Sequence, residues 1–220
     1  MASANLTFGC SVAVDGYWDV AEMARRAEAL GFDRIAMGEH VMDGNPPRPT
    51  LMNIPAMAAA AGATSTIRIM TGIVIVPLYH PVMLAKLTAT LDQVSNGRLD
   101  FGIGISGQRA TEIEFRALDI PVRTRGKRTD EMLDVMKRLW TEEHVSHSGR
   151  FFNFEDVTLL PQPIQKPYPP IWVAGRSDAA MRRAAVTCDG WYPYLFTARR
   201  LKATNEALRN LAAEVGRDLT

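Results

Sequence analysis

The sequence predicts an α/β fold on a parallel sheet, and three observations carry that prediction. The stretch Ile67–Pro77 (IRIMTGIVIVP) is mostly β-branched and apolar without polar alternation, which fits a strand covered on both faces. Runs of similar make-up recur along the chain. Each leads into a stretch with helical spacing, and such strand–helix alternation implies parallel strands with crossover helices and ligands at the strands' carboxyl ends. Thr71-Gly72 interrupts the central run. A glycine there marks either relief of crowding by a helix or a bulge where a ligand approaches the backbone.

In chain order, Leu6–Val14 reads as a first buried strand, broken by Asp15-Gly16. Trp18–Leu30 follows as a helix, with Val20, Met23, Ala24, Ala27 and Leu30 at helical spacing. Asp19 and Glu22 suggest an N-cap and its reciprocal partner, and Gly31 stops the helix. Arg34–Gly38 is a short second strand with Glu39-His40 just past its end. Asp43–Pro49 is a loop, and the alanine-rich Leu51–Ala63 is a helix. After the central strand, Leu78–Asn96 is a helix; Pro81 suits its first turn, and Asn96-Gly97 ends it. Arg98–Ile105 is the fourth strand, with Gly102, Gly104 and Gly107 towards and beyond its carboxyl end. Thr111–Leu118 is helix-prone. The basic run Arg123–Arg128 is either a phosphate clamp or a solvated helix start before the amphipathic helix Thr129–Trp140.

Residues 142–170 change character. Apolar and polar residues alternate around Gly149, which predicts a hairpin excursion, and the proline-rich PQPIQKPYPP is expected to run extended across the surface. This reads as an insertion in a single domain spanning 1–220. Ile171–Gly175 is the fifth buried strand, Ser177–Val186 a helix, Gly190–Leu195 the sixth strand and Ala198–Val215 the last helix.

Composition narrows the function classes. The 220 residues (24.3 kDa) are 47% hydrophobic and 22% charged, as expected of a globular chain large enough to bury a core. A net charge of +1 gives no footprint for nucleic acid or an anionic membrane. The apolar runs fall short of a membrane span and the N-terminus lacks a signal-peptide layout, so a cytoplasmic location is expected. Cys10 and Cys188 are too few for a disulfide framework and have no metal-ligand spacing, and no metal site is expected.

Two places could carry chemistry. His40 follows the second strand, at the end where a parallel barrel keeps its active site. It could hydrogen-bond a cofactor or pass a proton to substrate, or simply bind backbone as a strand cap. Glu39 is expected to orient a neighbour rather than react. Ala174-Gly175-Arg176-Ser177 is a strand ending in glycine and turning into a helix, where free N–H groups, a hydroxyl and an arginine suit a phosphate. A plain serine N-cap has the same sequence. Gly102 and Gly104 lack the full dinucleotide fingerprint, and no motif for zinc or serine hydrolysis occurs.

The blocks AEALGFDRIAMGEHV, TSTIRIMTGIVIVPLYHPVMLAKLTATLDQVSNGRLDFGIG, RGKRTDEMLDVMKRLW and GRFFNFEDVTLLPQPIQKPYPPIWVAGRSDAAMRRAA, with CDGWYP after them, resemble the bacterial luciferase-like superfamily. Within it the chain is most similar to the F420-dependent oxidoreductase branch. The resemblance implies a TIM-type (β/α)8 barrel binding F420, or alternatively FMN, at its carboxyl end. It implies a non-proline cis peptide at Gly72-Ile73, beside Thr71, supporting the ring. It places His40 near that ring, with Glu39, Gly104 and Ser106 in the same site, and Ala174, Gly175, Arg176 and Ser177 at the cofactor phosphate.

The implied function is hydride transfer between F420 and a small organic substrate. The alternatives are an FMN-dependent monooxygenase and a non-catalytic flavin-binding protein with an abbreviated barrel. The family's barrel has eight strands and only six are counted here, so a C-terminally incomplete barrel is expected. Family members commonly dimerise through the region of Leu51–Ala63 and Val82–Val94, so a homodimer is expected too.

Overall fold

In the computed structural model, which describes residues 6–12, 19–42, 49–107 and 109–218, the apolar runs form one parallel sheet. Its first strands are β1 (Gly9–Ser11), β2 (Arg34–Met37), β3 (Arg68–Thr71), β4 (Val74–Ile75) and β5 (Leu99–Gly104). An antiparallel hairpin, β6 (Val145–Ser148) and β7 (Asn153–Val157), stands apart, and β8 (Ile171–Ala174) and β9 (Gly190–Tyr192) complete the sheet. The spatial order is β1-β2-β3-β5-β8-β9, with β4 also beside β5. β3 and β4 are the two halves of the central apolar run, so six runs of sequence build the sheet. The order follows the chain, as in successive units of a barrel, but β1 and β9 do not pair. The result is the open half-barrel expected of an incomplete TIM-type fold.

Among the described residues, seven α-helices connect or flank the strands: α1 (Val20–Ala29), α2 (Asn53–Ala63), α3 (Pro81–Val94), α4 (Glu112–Ala117), α5 (Arg125–Thr141), α6 (Asp178–Arg182) and α7 (Ala198–Ala213). Register explains how the sheet divides its two faces. Ile35 pairs with Ile69 and Ile69 with Leu99, while Phe101 pairs with Ile171 and Ile103 with Val173. All are buried in the core shared with the helices. Trp140 of α5 fills that layer, its indole edge on Phe101 and its N–H donating to the Ala85 carbonyl at 3.0 Å.

The alternate residues point to the barrel interior. Ala36 pairs with Met70 and Met70 with Asp100, Gly102 with Trp172, and Ala174 with Tyr192. Asp100, almost fully buried, closes the amino-terminal end. It accepts from Arg68 at 2.9 and 2.6 Å and lies 3.4 Å from Arg34. Polar groups thus fill one end of the interior, while small residues keep the carboxyl end open.

The helix starts and stops are largely those expected. Asp19 caps α1 by accepting the Glu22 N–H at 2.8 Å, and Pro81 opens α3. Glu22 does not reciprocate; its carboxylate pairs with Arg25 one turn on. Leu30 falls beyond the last turn and is 75% exposed. The first strand is shorter than Leu6–Val14, because Leu6 and Phe8 lie exposed before it. Residues 13 and 14, the break at Asp15-Gly16, the expected helix start at Trp18 and loop residues 43–48 lie outside the described residues.

The proline-rich segment is not extended. It proceeds through bends, with cis bonds at Leu160-Pro161 and Lys166-Pro167. Gln165 anchors it, its backbone N–H and side-chain amide donating to the Asp92 carboxylate at 3.0 and 2.7 Å and the same amide donating to the Leu99 carbonyl. Among the described residues, no helix is long and apolar enough to cross a membrane, and no group of three or more side chains could hold a metal ion.

Candidate functional site

The carboxyl ends of the strands surround a cleft of about 1030 Å³. Sites for small molecules run from roughly 300 to 1,000 Å³, so this cleft is large enough for a cofactor and part of a substrate. A smaller hollow of about 420 Å³ between Asp19 and Ala59 contains none of the candidate residues. Glu39, His40, Gly72, Ile73, Gly104, Ser106, Ala174, Gly175, Arg176 and Ser177 all line the large cleft. Residues from four separate stretches of sequence therefore meet in one place.

Thr71 is the exception. It is fully buried and does not line the cleft; its hydroxyl donates to the Gly102 carbonyl at 2.8 Å, tying the third run to the fourth. Immediately after it, the Gly72-Ile73 bond is cis, as the resemblance implied. The wall here is built from small groups. A Cβ on Gly72 would lie 3.1 Å from the Ala36 Cβ and 3.3 Å from the Tyr192 hydroxyl, and one on Gly104 would lie 2.6 Å from Ile73 Cδ1. Gly72 and Gly104 thus let this wall pack closely without side chains of their own, and both line the cleft.

Glu39 stabilises this wall from behind. Only 3% exposed, it accepts the Ile75 N–H at 2.9 Å, the Asn53 N–H at 3.3 Å and the Tyr79 hydroxyl at 3.0 Å. Burial holds its carboxyl above the ordinary range, against the downward pull of those hydrogen bonds. Burial, followed by the Glu39 charge, raises the Tyr79 phenol in turn. The acceptors of Glu39 are thus committed to two backbone N–H groups and the Tyr79 hydroxyl.

His40 sits at the rim of this wall with its side chain 27% exposed. Its Nδ1 lies 3.3 Å from Oε2 of Glu114, a fully buried carboxylate on α4. Glu114 carries no signal in the sequence, because its partners lie 72 to 74 residues earlier.

On the opposite side, Gly175 has φ +130°, a conformation L side chains rarely adopt, and a Cβ there would come within 2.8 Å of Ala180. The Trp191 indole fixes the turn by donating to the Gly175 carbonyl at 2.9 Å. Ser177 caps α6, its Oγ accepting the Ala180 N–H at 3.3 Å. The hydroxyl keeps its own proton for a ligand, so capping and ligand binding are compatible.

Charge adds direction. Arg125, Arg176 and Arg200 line the cleft, and none has a carboxylate within ion-pair distance among the described residues. Arg176 rests on the Tyr194 ring and Arg200 on the Phe196 ring, at 4.9 and 4.8 Å. Among the described residues, the only acidic side chain in the lining is Glu39. Such a surplus of cations suits an anionic group on the ligand. The basic run Arg123–Arg128 divides its roles: Arg125 reaches the cleft, whereas Arg128 donates to the carbonyls of Pro77 and Tyr79 and stacks on Phe152. Tyr192 and Arg200 were not legible as site residues, since nothing local distinguishes them from a strand tyrosine and a helix arginine.

Comparison with known proteins bears on this geometry. Residues 6–220 match the family described as luciferase-like monooxygenase. The chain is 37% identical to the oxygenase component of a flavin-dependent trigonelline monooxygenase from Acinetobacter baylyi, over 73% of this chain and 43% of that protein. Among solved structures it resembles the monooxygenase RslO1 from Streptomyces bottropensis, with TM-score 0.84 and 29% identity over 98% of this chain and 68% of that one. It also resembles an F420-dependent secondary alcohol dehydrogenase in complex with an F420-acetone adduct, with TM-score 0.83 and 26% identity over 96% of this chain and 65% of that one. The chain spans about half the length of the curated relatives it matches.

Proposed function

The chain belongs to the luciferase-like monooxygenase family, and from that premise we propose that it is an oxidoreductase holding a flavin-type cofactor against a small organic substrate. The observation that carries this reading is the convergence of His40, the Gly72-Ile73 wall and the Gly175–Ser177 turn on one cleft. The wall formed by Gly72, Ile73 and Gly104 suits a flat ring. The arginines and the Ser177 hydroxyl at the far side fit the phosphate that ends its side chain.

Both FMN and F420 have a planar tricyclic ring, a ribityl chain and a phosphate, so these residues suit either. FMN-dependent monooxygenation is one reading, supported by the likeness to the flavin-dependent trigonelline monooxygenase, at 37% identity. F420-dependent hydride transfer is the second reading, supported by the F420-dependent dehydrogenase. When bound, the cofactor supplies the redox chemistry, and the protein supplies position, electrostatics and proton management.

Each part of the chain has a defined task in this reading. Met37, Ile75 and Ile105 give the cleft apolar walls that exclude water. Glu39 holds the Asn53 and Ile75 amides so that the wall keeps its shape. Arg176 and Ser177 hold the phosphate, with Arg125 and Arg200 adding positive potential. His40 takes or returns a proton on the substrate side. A general acid or base contributes typically about 10²–10⁴-fold. His40→Ala is therefore expected to lower kcat at least about a hundredfold while cofactor affinity falls less than about tenfold. Unchanged turnover per folded molecule would remove His40 from the mechanism.

A further inference from the structure

The two oxygens of Glu114 have different partners. Oε1 accepts the backbone N–H groups of Val41 at 2.6 Å and Met42 at 3.0 Å, while Oε2 lies 3.3 Å from Nδ1 of His40. The carboxylate is fully buried, yet the ring it touches lines the cleft. We propose that Glu114 is a positioning residue that fixes the tautomer of His40, keeping the proton on Nδ1 and presenting Nε2 to the cleft as an acceptor.

The argument is one of donors and acceptors. A carboxylate has no proton to give, so a ring nitrogen facing it must donate. Neutral imidazole carries one N–H, and committing it to Nδ1 leaves Nε2 bare. Because Oε1 also clamps the next two residues, ring and loop are held by the same group. An acceptor at the cleft is what a general base needs, so the proposal rests on, and deepens, the reading of His40 given above.

The two backbone donors make a selective test available. In Glu114→Gln, the Val41 and Met42 N–H groups still require an acceptor, so the amide oxygen takes the Oε1 position. The amide NH2 then faces Nδ1. Since NH2 only donates, Nδ1 must accept, and the ring proton moves to Nε2. Volume, burial and the loop anchors are retained while the cleft-facing nitrogen turns from acceptor into donor.

The test is long-range ¹H–¹⁵N NMR of the labelled protein without cofactor, at alkaline pH where imidazoles are neutral, with the His40 signals assigned from a His40→Gln sample. The expected result is the Nδ1–H tautomer in the wild type and the Nε2–H tautomer in Glu114→Gln, with the same urea midpoint for both. Turnover should fall about a hundredfold or more in Glu114→Gln at unchanged cofactor affinity. An Nε2–H tautomer or an imidazolium in the wild type overturns the proposal, as does the same tautomer in both proteins. If Glu114→Gln does not fold, the wild-type spectrum alone decides. A tautomer exchange combined with unchanged turnover in His40→Ala supports the positioning role and overturns the reading of His40 as a base.

Discussion

Ser177 shows how one side chain can satisfy two readings. Its Oγ accepts the Ala180 N–H, which is the N-cap that the local sequence equally allowed. The same hydroxyl can donate to a phosphate at the cleft. Ser177→Ala should therefore cost about 1 kcal/mol of stability from the lost cap. It should also weaken cofactor binding about tenfold or more, since a hydrogen bond to a charged group contributes roughly 1.5–3 kcal/mol. Urea unfolding and an affinity measurement separate the two effects; unchanged affinity would move the phosphate towards Arg125.

Away from the cleft, Glu28 accepts the N–H groups of Ser65, Thr66 and Ile67 at 2.9, 2.6 and 3.0 Å. These bonds, that from Ile67 foremost, lower its carboxyl from 4.5 to about 2. A folded value below the free value means that the stabilisation is fully present above pH 4.5 and is lost as pH falls towards about 2. Glu28→Gln should lose stability at neutral pH and show a shallower decline across that acid range. Parallel pH–stability curves for variant and wild type would contradict this. At this scale, residues that directly follow a strand were legible in the sequence, as His40 and Gly175 were. Glu114 was not, because its role depends on partners more than seventy residues away.

At the level of elements, the third apolar run is where sequence and structure differ most usefully. It reads as one strand over Ile67–Pro77, yet it forms β3 and β4 with Gly72-Ile73 between them and ends in a 3₁₀ turn at Val76–Leu78. The glycine was a visible sign of interruption; the way the two halves register against β5 was not, because it depends on the facing strand. That fit is tight. A Cβ on Gly102 would stand 1.8 Å from the Thr71 carbonyl oxygen, a backbone atom that cannot swing away. Gly102→Ala should cost at least about 1–3 kcal/mol, the usual range for overpacking, and displace β3. An unchanged urea midpoint would show that the strands part without penalty. The hairpin β6–β7 was legible from its alternation around Gly149. The proline-rich segment departs from proline's extended preference, because Gln165 ties it to Asp92 and to the Leu99 carbonyl.

For the molecule as a whole, strand–helix alternation was enough to give a parallel sheet whose strands follow chain order, since each crossover returns the chain beside the strand it left. Alternation alone does not locate sheet edges, and here β1 and β9 are left as the outer strands. We propose that the chain forms a homodimer through α2 and α3, whose outward faces carry Pro55, Ala59, Met83 and Val94. Light scattering at micromolar concentration should give twice the 24.3 kDa chain mass, and a purely monomeric signal would contradict this. The central claim, however, is that the cleft at the strand ends holds a flavin-type cofactor by ring and phosphate together. Its most direct test is an equilibrium titration of the wild type with FMN and, separately, with F420, followed by absorbance and fluorescence. We expect saturable binding of at least one of them at one site per chain, weakened about tenfold or more in Ser177→Ala. Failure of both to bind the folded protein would contradict the account.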